Sequence, residues 1–329
     1  MTVTMLDVAR SAGVDKSTVS LVLSGKRSGL RISRPTRDRI LAAAKVLNYR
    51  PSFSAQALRK GRTFTLGLVC GGIESAFFSE LTSLAIREAQ ERGYQLLVSV
   101  TEWDTVRELE CLEMLRDGRV EGVLMLTTAL TPEAPQYESI VRDGFPVVVM
   151  HSVPGLSSVS SDWTPGMDQA VRHLKAGGHG RVGYVWLGTD MFSDRAKQSA
   201  FQKACATHGA AGIEYTCSGS ITDARELGRR LDHEPDCPGA FIVFSDYIAG
   251  GVIRGLVDEG RRVPEDTAVV GMDGTAMGEF STPALTTIAQ DCRQLMVRSI
   301  DLLLEKIEHR ETSAKEILLP TQLIVRESA

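Results

Sequence analysis

At 329 residues, 43% hydrophobic and 24% charged, the chain has an ordinary globular composition and enough length for a small domain plus a larger two-lobed one. No apolar run approaches the roughly 18 residues of a membrane span, and the first residues lack the basic start and apolar run of a signal peptide, so a cytoplasmic setting is expected. The net charge of −4 hides a split: residues 1–62 carry 13 Lys and Arg against three acids, the remainder 24 against 38. A small basic module on an acidic body suits phosphate binding, because Lys and Arg at a DNA surface release its condensed counterions. The six cysteines form no C-x-x-C pair, which speaks against zinc; they read as buried thiols, and no cofactor is expected.

Leu6 to Ser11 and Lys16 to Leu23 read as two short helices separated by Ala12-Gly13-Val14-Asp15. Ala9 permits a close helix approach, Gly13 suits a turn needing positive φ, and Asp15 can cap the second helix. Val8, Val14, Val19 and Val22 supply the apolar contacts. A third helix is predicted from Ser33, with Pro35 in its first turn, to about Leu47. Three short helices of this kind make a helix-turn-helix unit, whose second helix enters the major groove.

The runs D-V-A-R-S-A-G-V-D-K-S-T-V-S-L-V-L-S-G, S-x-x-T-R-x-R-I and N-Y-R-P-S carry a specific resemblance to the lactose/galactose repressor (LacI/GalR) family of bacterial regulators. The resemblance implies that Lys16 and Ser17 open the recognition helix and face base edges, and that Thr18, Ser20 and Asn48 touch or position phosphates, with Thr4 in the same DNA-facing set. Leu21 departs from the family's usual Arg; it can pack or meet a thymine methyl but cannot bond guanine bidentately. The loop Gly25–Arg31 is about three residues longer than usual, and Arg31 with its neighbouring cations either reaches further phosphates or stays solvated. Residues 51–62 have helical composition over about two turns, too short to be a stable helix alone. In the family such a hinge enters the minor groove beside its dimer mate. Leu58 falls on the wedging leucine, with Arg59 adding a phosphate or minor-groove contact; the alternative is that Leu58 packs on the core's first strand.

From Phe64 onward short apolar strands (Thr65–Val69, Gln95–Val100, Gly122–Thr127, Val147–Met150, Val182–Trp186, Ala240–Phe244, Ala268–Gly271, Leu285–Ala289) alternate with helical stretches (Ser79–Arg92, Val106–Arg116, Met167–Ala176, Arg195–His208, Tyr247–Glu259). Such alternation argues for parallel sheets covered by helices on both faces. The core also resembles the sugar-binding proteins of the bacterial periplasm, whose ligand sits where strand C-terminal ends meet. The expected architecture is an all-α helix-turn-helix headpiece (1–50), a hinge (51–62) and an α/β core (63–329) of two Rossmann-like lobes of periplasmic-binding-protein type I. Lobe 1 spans about 63–161 and 291–320, lobe 2 about 162–290 and 321–329.

Within the core the resemblance places Phe77 and Phe78 in P-F-F-x-x-L, Ser245-Asp246 on the usual N-D, and Asp273 in V-x-G-[FY]-D. Phe77 then faces the ligand, core packing being the alternative, and Asp273 accepts from ligand hydroxyl or amine groups. His151 occupies a position that is Asp in sugar-responsive members. Lys197, paired with Arg195, stands where Arg clamps the effector, which keeps a cation but loses the guanidinium fork. Ser245 replaces a ligand-facing Asn and Cys292 an aromatic. Such a site can bind a sugar, a sugar phosphate or an acid, or have lost its small-molecule response.

Two other readings compete: a periplasmic-type ligand carrier, opposed by the basic headpiece, and an α/β enzyme. The motifs G-x-G-x-x-G at the central strand, G-x-x-x-x-G-K-[ST] and G-x-S-x-G are absent, which favours a cleft without chemistry. The expectation is a homodimeric regulator, most often a repressor in this family, on near-palindromic double-stranded DNA. Its operator-competent population would be shifted by a small-molecule effector.

Overall fold

The computed structural model describes residues 3–23, 32–49, 62–189, 192–309 and 313–329. The chain divides into two compact units, Met1–Thr63 and Phe64–Ala329.

In the first unit, Thr4 opens α1 (Met5–Ala12) with a reciprocal cap: the Asp7 N–H donates to the Thr4 hydroxyl oxygen at 3.4 Å, and the Thr4 N–H donates to the Asp7 carboxylate at 2.9 Å. Gly13, at φ 64°, ends the helix in the left-handed conformation that glycine adopts without steric cost. α2 (Lys16–Leu23) follows after two residues, and the Asp15 carbonyl accepts from the Thr18 and Val19 N–H groups. α3 (Arg34–Val46) begins at a Ser33 cap with Pro35 in its first turn, as predicted. The three helices enclose Val8, Ala9, Val19, Val22, Ile40 and Ala44, with Val14 packed against them. Each fully buried Val or Ile contributes about 1.5–3 kcal/mol.

The second unit begins with β1 (Thr65–Cys70), α4 (Ala76–Glu91), β2 (Gln95–Val100), α5 (Thr105–Arg116), β3 (Val123–Met125), α6 (Tyr137–Asp143), β4 (Val147–Val149) and β5 (Ser157–Asp162). It continues with α7 (Thr164–Ala176), β6 (Arg181–Trp186), α8 (Phe192–His208), β7 (Ala211–Thr216), α9 (Ile221–Asp232), β8 (Ala240–Val243), α10 (Asp246–Asp258) and β9 (Ala268–Asp273). α11 (Ala276–Glu279), β10 (Thr286–Ala289), α12 (Cys292–His309), β11 (Glu316–Pro320) and β12 (Gln322–Ile324) complete it.

The strands form two six-stranded sheets, ordered β11-β5-β4-β3-β1-β2 and β12-β10-β9-β8-β6-β7. All pairings are parallel except β10 with β12. β1 and β9 are buried along their whole length, as expected for central strands covered on both faces. The chain passes between the sheets at β5–α7, at β10–α12 and at Thr321 between β11 and β12. α12 accordingly packs on the first sheet (Leu295, Met296 and Ile300 with Leu66, Leu68 and Val148), although its neighbour β10 belongs to the second. In both sheets the strand order reverses beside the first strand of the lobe, which opens a crevice at the strand C-terminal ends.

One close approach depends on glycine. α9 and α10 touch backbone to backbone: a Cβ on Gly255 would lie 2.1 Å from the Arg225 carbonyl oxygen, and one on Gly228 2.3 Å from that of Val252. No side chain fits there, which fixes α10 and thus the residues at its N-terminus that face the crevice.

Candidate effector cleft and DNA-binding face

At the crevice of the second unit lies a cleft of about 1260 Å³. Phe77 and Phe78 reach it from α4, His151 from the end of β4, Lys197 from α8, Ser245 from the start of α10 and Asp273 from the end of β9. Segments up to almost 200 residues apart in sequence thus converge on one space.

Its polar centre is Lys197 and Asp273. The Lys197 ammonium donates to the Phe244 carbonyl at 2.9 Å and lies 4.5 Å from the centroid of the Trp163 ring, a cation–π contact. Burial pushes its pKa down, against the pull of Asp273, Asp194 and Asp246. Burial likewise pushes the Asp273 carboxyl up to about 8, while the Lys197 charge draws it back. Each desolvated group is tolerated because the other is there. Asp273 also accepts from Gln290 Nε2 at 3.1 Å, and Gln290 Oε1 accepts from the Ser161 hydroxyl at 2.6 Å. This chain links the carboxyl to two of the segments that join the sheets.

Asp273 has φ 115°, a strained value for a side-chain-bearing residue. What holds it is Asp246, which the sequence shows only as part of a motif. The Asp246 carboxylate accepts from the Thr275 N–H (2.7 Å), the Thr275 hydroxyl (2.8 Å) and the Thr287 hydroxyl (2.6 Å). Thr287 Oγ1 in turn accepts from the Gly274 N–H at 3.2 Å. Asp246 can reach in because Gly271 has no side chain: a Cβ there would lie 2.3 Å from Asp246 Oδ1. Ser245, beside it, caps α10 by accepting from the Ile248 N–H at 3.2 Å, so its hydroxyl lines the cleft while engaged in a cap.

His151 is 3% exposed, and burial lowers its pKa, only partly offset by a hydrogen bond with the Leu130 backbone. The ring is therefore neutral in the folded protein, whereas the unfolded chain takes up a proton near 6.5. Stability linked to His151 is thus fully present above pH 6.5 and is lost as pH falls through the lower folded value. We expect His151→Gln to lose less stability than the wild type as pH falls below 6.5, measured by urea unfolding across that range. Parallel profiles for the two proteins would show that the ring does not titrate differently on folding.

Arg195 leaves α8 in a different direction from Lys197. The sequence motif puts it in the cleft with Lys197, but it is exposed, stacks 5.5 Å from the centroid of the Trp186 ring and bonds Gln198 at 3.0 Å. Residues two apart on a helix point to nearly opposite sides, which separates the two cations on α8. Cys292 is buried in the core of the first lobe with its thiol pushed up to about 12, a packing residue away from the cleft lining.

In the first unit Lys16 and Ser17 are exposed at the start of α2, while Val19 and Val22 on its other side are buried. Thr18, Ser20 and Leu21 are half-buried along the same helix. Thr4 is exposed but its hydroxyl and N–H both donate to Asp7, so it serves as a cap. Asn48 is exposed beyond α3 at φ 49°, a left-handed value that Asn tolerates. Arg31, Leu58 and Arg59 lie outside the described residues.

A helix-turn-helix unit joined in one chain to a two-lobed core with a ligand-sized cleft defines a ligand-responsive DNA-binding regulator. Residues 4–52 match the bacterial regulatory proteins of the lacI family, and residues 171–329 match the periplasmic binding protein-like domain. The chain is 32% identical over 343 residues to the ribose operon repressor of Escherichia coli, covering 99% of each. It is 30% identical over 342 residues to the HTH-type transcriptional repressor PurR of Mannheimia succiniciproducens, covering 99% of this chain and 98% of that one. Among solved structures, a lac repressor dimer bound to operator and the anti-inducer ONPF matches with a TM-score of 0.89 at 25% identity, covering 100% of this chain and 99% of the other. The chain belongs to the LacI family of bacterial regulatory proteins, and it is a DNA-binding transcriptional repressor with an effector-binding core rather than an enzyme. No helix among the described residues is long and apolar enough to cross a membrane.

Proposed function

We propose that this repressor acts in the cytoplasm as a homodimer on a near-palindromic operator, released or retained by a neutral polyhydroxylated effector such as a sugar. The observation that carries the effector class is the pairing of Lys197 with Asp273 beside Trp163. A cation already matched by a carboxylate has little net charge to offer a phosphate. A donor, an acceptor and an aromatic face together suit ring hydroxyls and the apolar face of a sugar. Relatives point the same way: solved LacI-family regulators hold ribose and lactose.

On the DNA side, Lys16 and Ser17 read base edges, Thr18, Ser20, Asn48 and Arg31 hold phosphates, and residues 51–62 act as the hinge. Leu58 wedges the central base step and Arg59 contacts the groove beside it. Leu21 favours a thymine methyl where an Arg would demand guanine.

Selection of bound duplexes from a random library tests this reading. The expected motif is palindromic, with a flexible pyrimidine–purine step at its centre. Lys16→Ala should weaken binding to that motif by about tenfold or more while binding to unrelated DNA falls much less. A Lys16→Ala variant that loses affinity equally for all sequences would make Lys16 a phosphate contact and move base readout elsewhere on α2.

A further inference from the structure

The cleft is larger than one sugar ring needs. Small-molecule pockets usually span about 300–1,000 Å³, against about 1260 Å³ here. On the lobe 1 side its lining includes Trp103, a residue that no sequence motif singles out.

Trp103 follows β2 and is 50% exposed, unusual for so large an aromatic. Its indole packs against Gly71, where a Cβ would come within 2.2 Å of the ring, so only a glycine lets the ring settle there. On another side it meets Phe78 edge-on, ring centroids 4.8 Å apart, and Phe78 meets Phe77 edge-on at 5.1 Å. The three rings form a continuous aromatic wall. Glu102 and Trp103 both sit in the left-handed region, at φ 57° and 62°. Neither is a glycine, and such conformations persist only where surrounding structure enforces them.

That enforcement is visible. The Thr101 hydroxyl donates to the Cys70 carbonyl at 3.1 Å, the Asp104 N–H donates to the Thr101 carbonyl at 3.1 Å, and Asp104 caps α5 through the Val106 and Arg107 N–H groups. A half-exposed tryptophan is thus held rigidly against the cleft, and the Glu74 carboxylate shares its neighbourhood at Gly72, where a Cβ would lie 2.5 Å from Glu74 Oε2 and 3.4 Å from Trp103 Nε1. An aromatic face flanked by a carboxylate stacks the apolar face of a sugar ring and accepts from its hydroxyls. The carboxylate repels an anionic ring.

We propose that Trp103, with Phe78 behind it and Glu74 at its edge, forms a second ring-binding subsite, so that the effector is a neutral saccharide of at least two rings. This rests on the carbohydrate reading of the cleft. The Lys197–Asp273 end anchors one ring and the Trp103 end stacks the next.

The test is calorimetric titration of the full-length protein with a panel of neutral mono- and disaccharides that includes ribose, lactose and cellobiose. At least one disaccharide should bind about tenfold more tightly than either of its component monosaccharides, the scale of one added stacking contact. In Trp103→Ala the ratio of disaccharide to monosaccharide affinity should collapse to near one, and Trp103→Phe should recover part of it. The same disaccharide should change the tryptophan emission of the wild type more than that of Trp103→Phe. A monosaccharide that binds as tightly as any disaccharide overturns the second subsite and leaves the carbohydrate reading standing. So does a ratio unchanged in Trp103→Ala. Failure of every saccharide to bind overturns the carbohydrate reading, and this proposal with it.

Discussion

Asp246→Ala should cost the core about 3–5 kcal/mol of unfolding free energy, although Asp246 is neither apolar nor placed among the effector-binding residues. Its carboxylate is 7% exposed and collects three donors, two from Thr275 and one from Thr287. Each buried donor left without an acceptor costs about 1–3 kcal/mol, and the methyl of alanine cannot replace any of them. Burial pushes the Asp246 carboxyl up, and the hydrogen bonds from Thr287 and Thr275 hold it down. Asp246→Asn should lose less, because one oxygen survives while its NH2 group now faces donors. Urea unfolding followed by circular dichroism checks both. A loss below about 1 kcal/mol in Asp246→Ala would mean that the Thr275 and Thr287 hydroxyls find other acceptors. The strained Asp273 backbone would then need a different support, since Thr275 is two residues on and the Thr287 hydroxyl takes the Gly274 N–H.

Asp246 also shows what the amino-acid sequence can and cannot reveal. Short-range signals were legible: the helix start at Ser33, the turn glycine at 13, and apolar strand runs such as β1 and β8 each lie within a few residues, whereas the resemblance marks Thr4 only as a DNA contact and not as a cap. Strands whose burial does not follow apolarity were not. β5, Ser157–Asp162, is built of serines, an aspartate and a single valine, yet its first four residues are buried; nothing in S-S-V-S-S-D marks a strand between β4 and β11. β7 has an exposed–intermediate alternation, typical of the sheet edge it occupies, and carries too few apolar residues to stand out.

The site followed the same division. Residues lying on family motifs, such as Phe77, His151, Lys197 and Asp273, could be placed from the resemblance, and the fold brings all four to one cleft. Asp246 gains its role only when Thr275 and Thr287 arrive from 29 and 41 residues away. Trp103 depends on contact with Gly71 across a strand connection. Arg195 shows another limit: its motif was legible, but not the helical rotation between positions 195 and 197 that sets it over Trp186.

Lys197→Met should abolish the effector response while sparing the fold. The substitution keeps an unbranched chain of similar length over Trp163 but removes the donor to the Phe244 carbonyl and the charge beside Asp273. Ordinarily, deleting one partner of a buried ion pair strands the other charge and costs about 3–5 kcal/mol. Here the stranded group is a carboxyl that burial pushes up and that the lysine charge draws back. Without that cation its pKa rises further, so at pH 7 it keeps its proton and no bare charge is left behind. The stability loss should therefore stay near 1 kcal/mol, the value of one hydrogen bond. The loss to the ligand is larger, because a neutral thioether offers ring hydroxyls no donor, and the protonated Asp273 presents a donor where an acceptor is required. An affinity loss of about a hundredfold is expected for any saccharide the wild type binds, roughly two charge-assisted hydrogen bonds. In a mobility-shift assay that saccharide should no longer alter operator binding. Two results would count against this: a retained response would place the ligand away from Lys197, and a stability loss of several kcal/mol at pH 7 would mean that Asp273 stays ionised after its partner is gone.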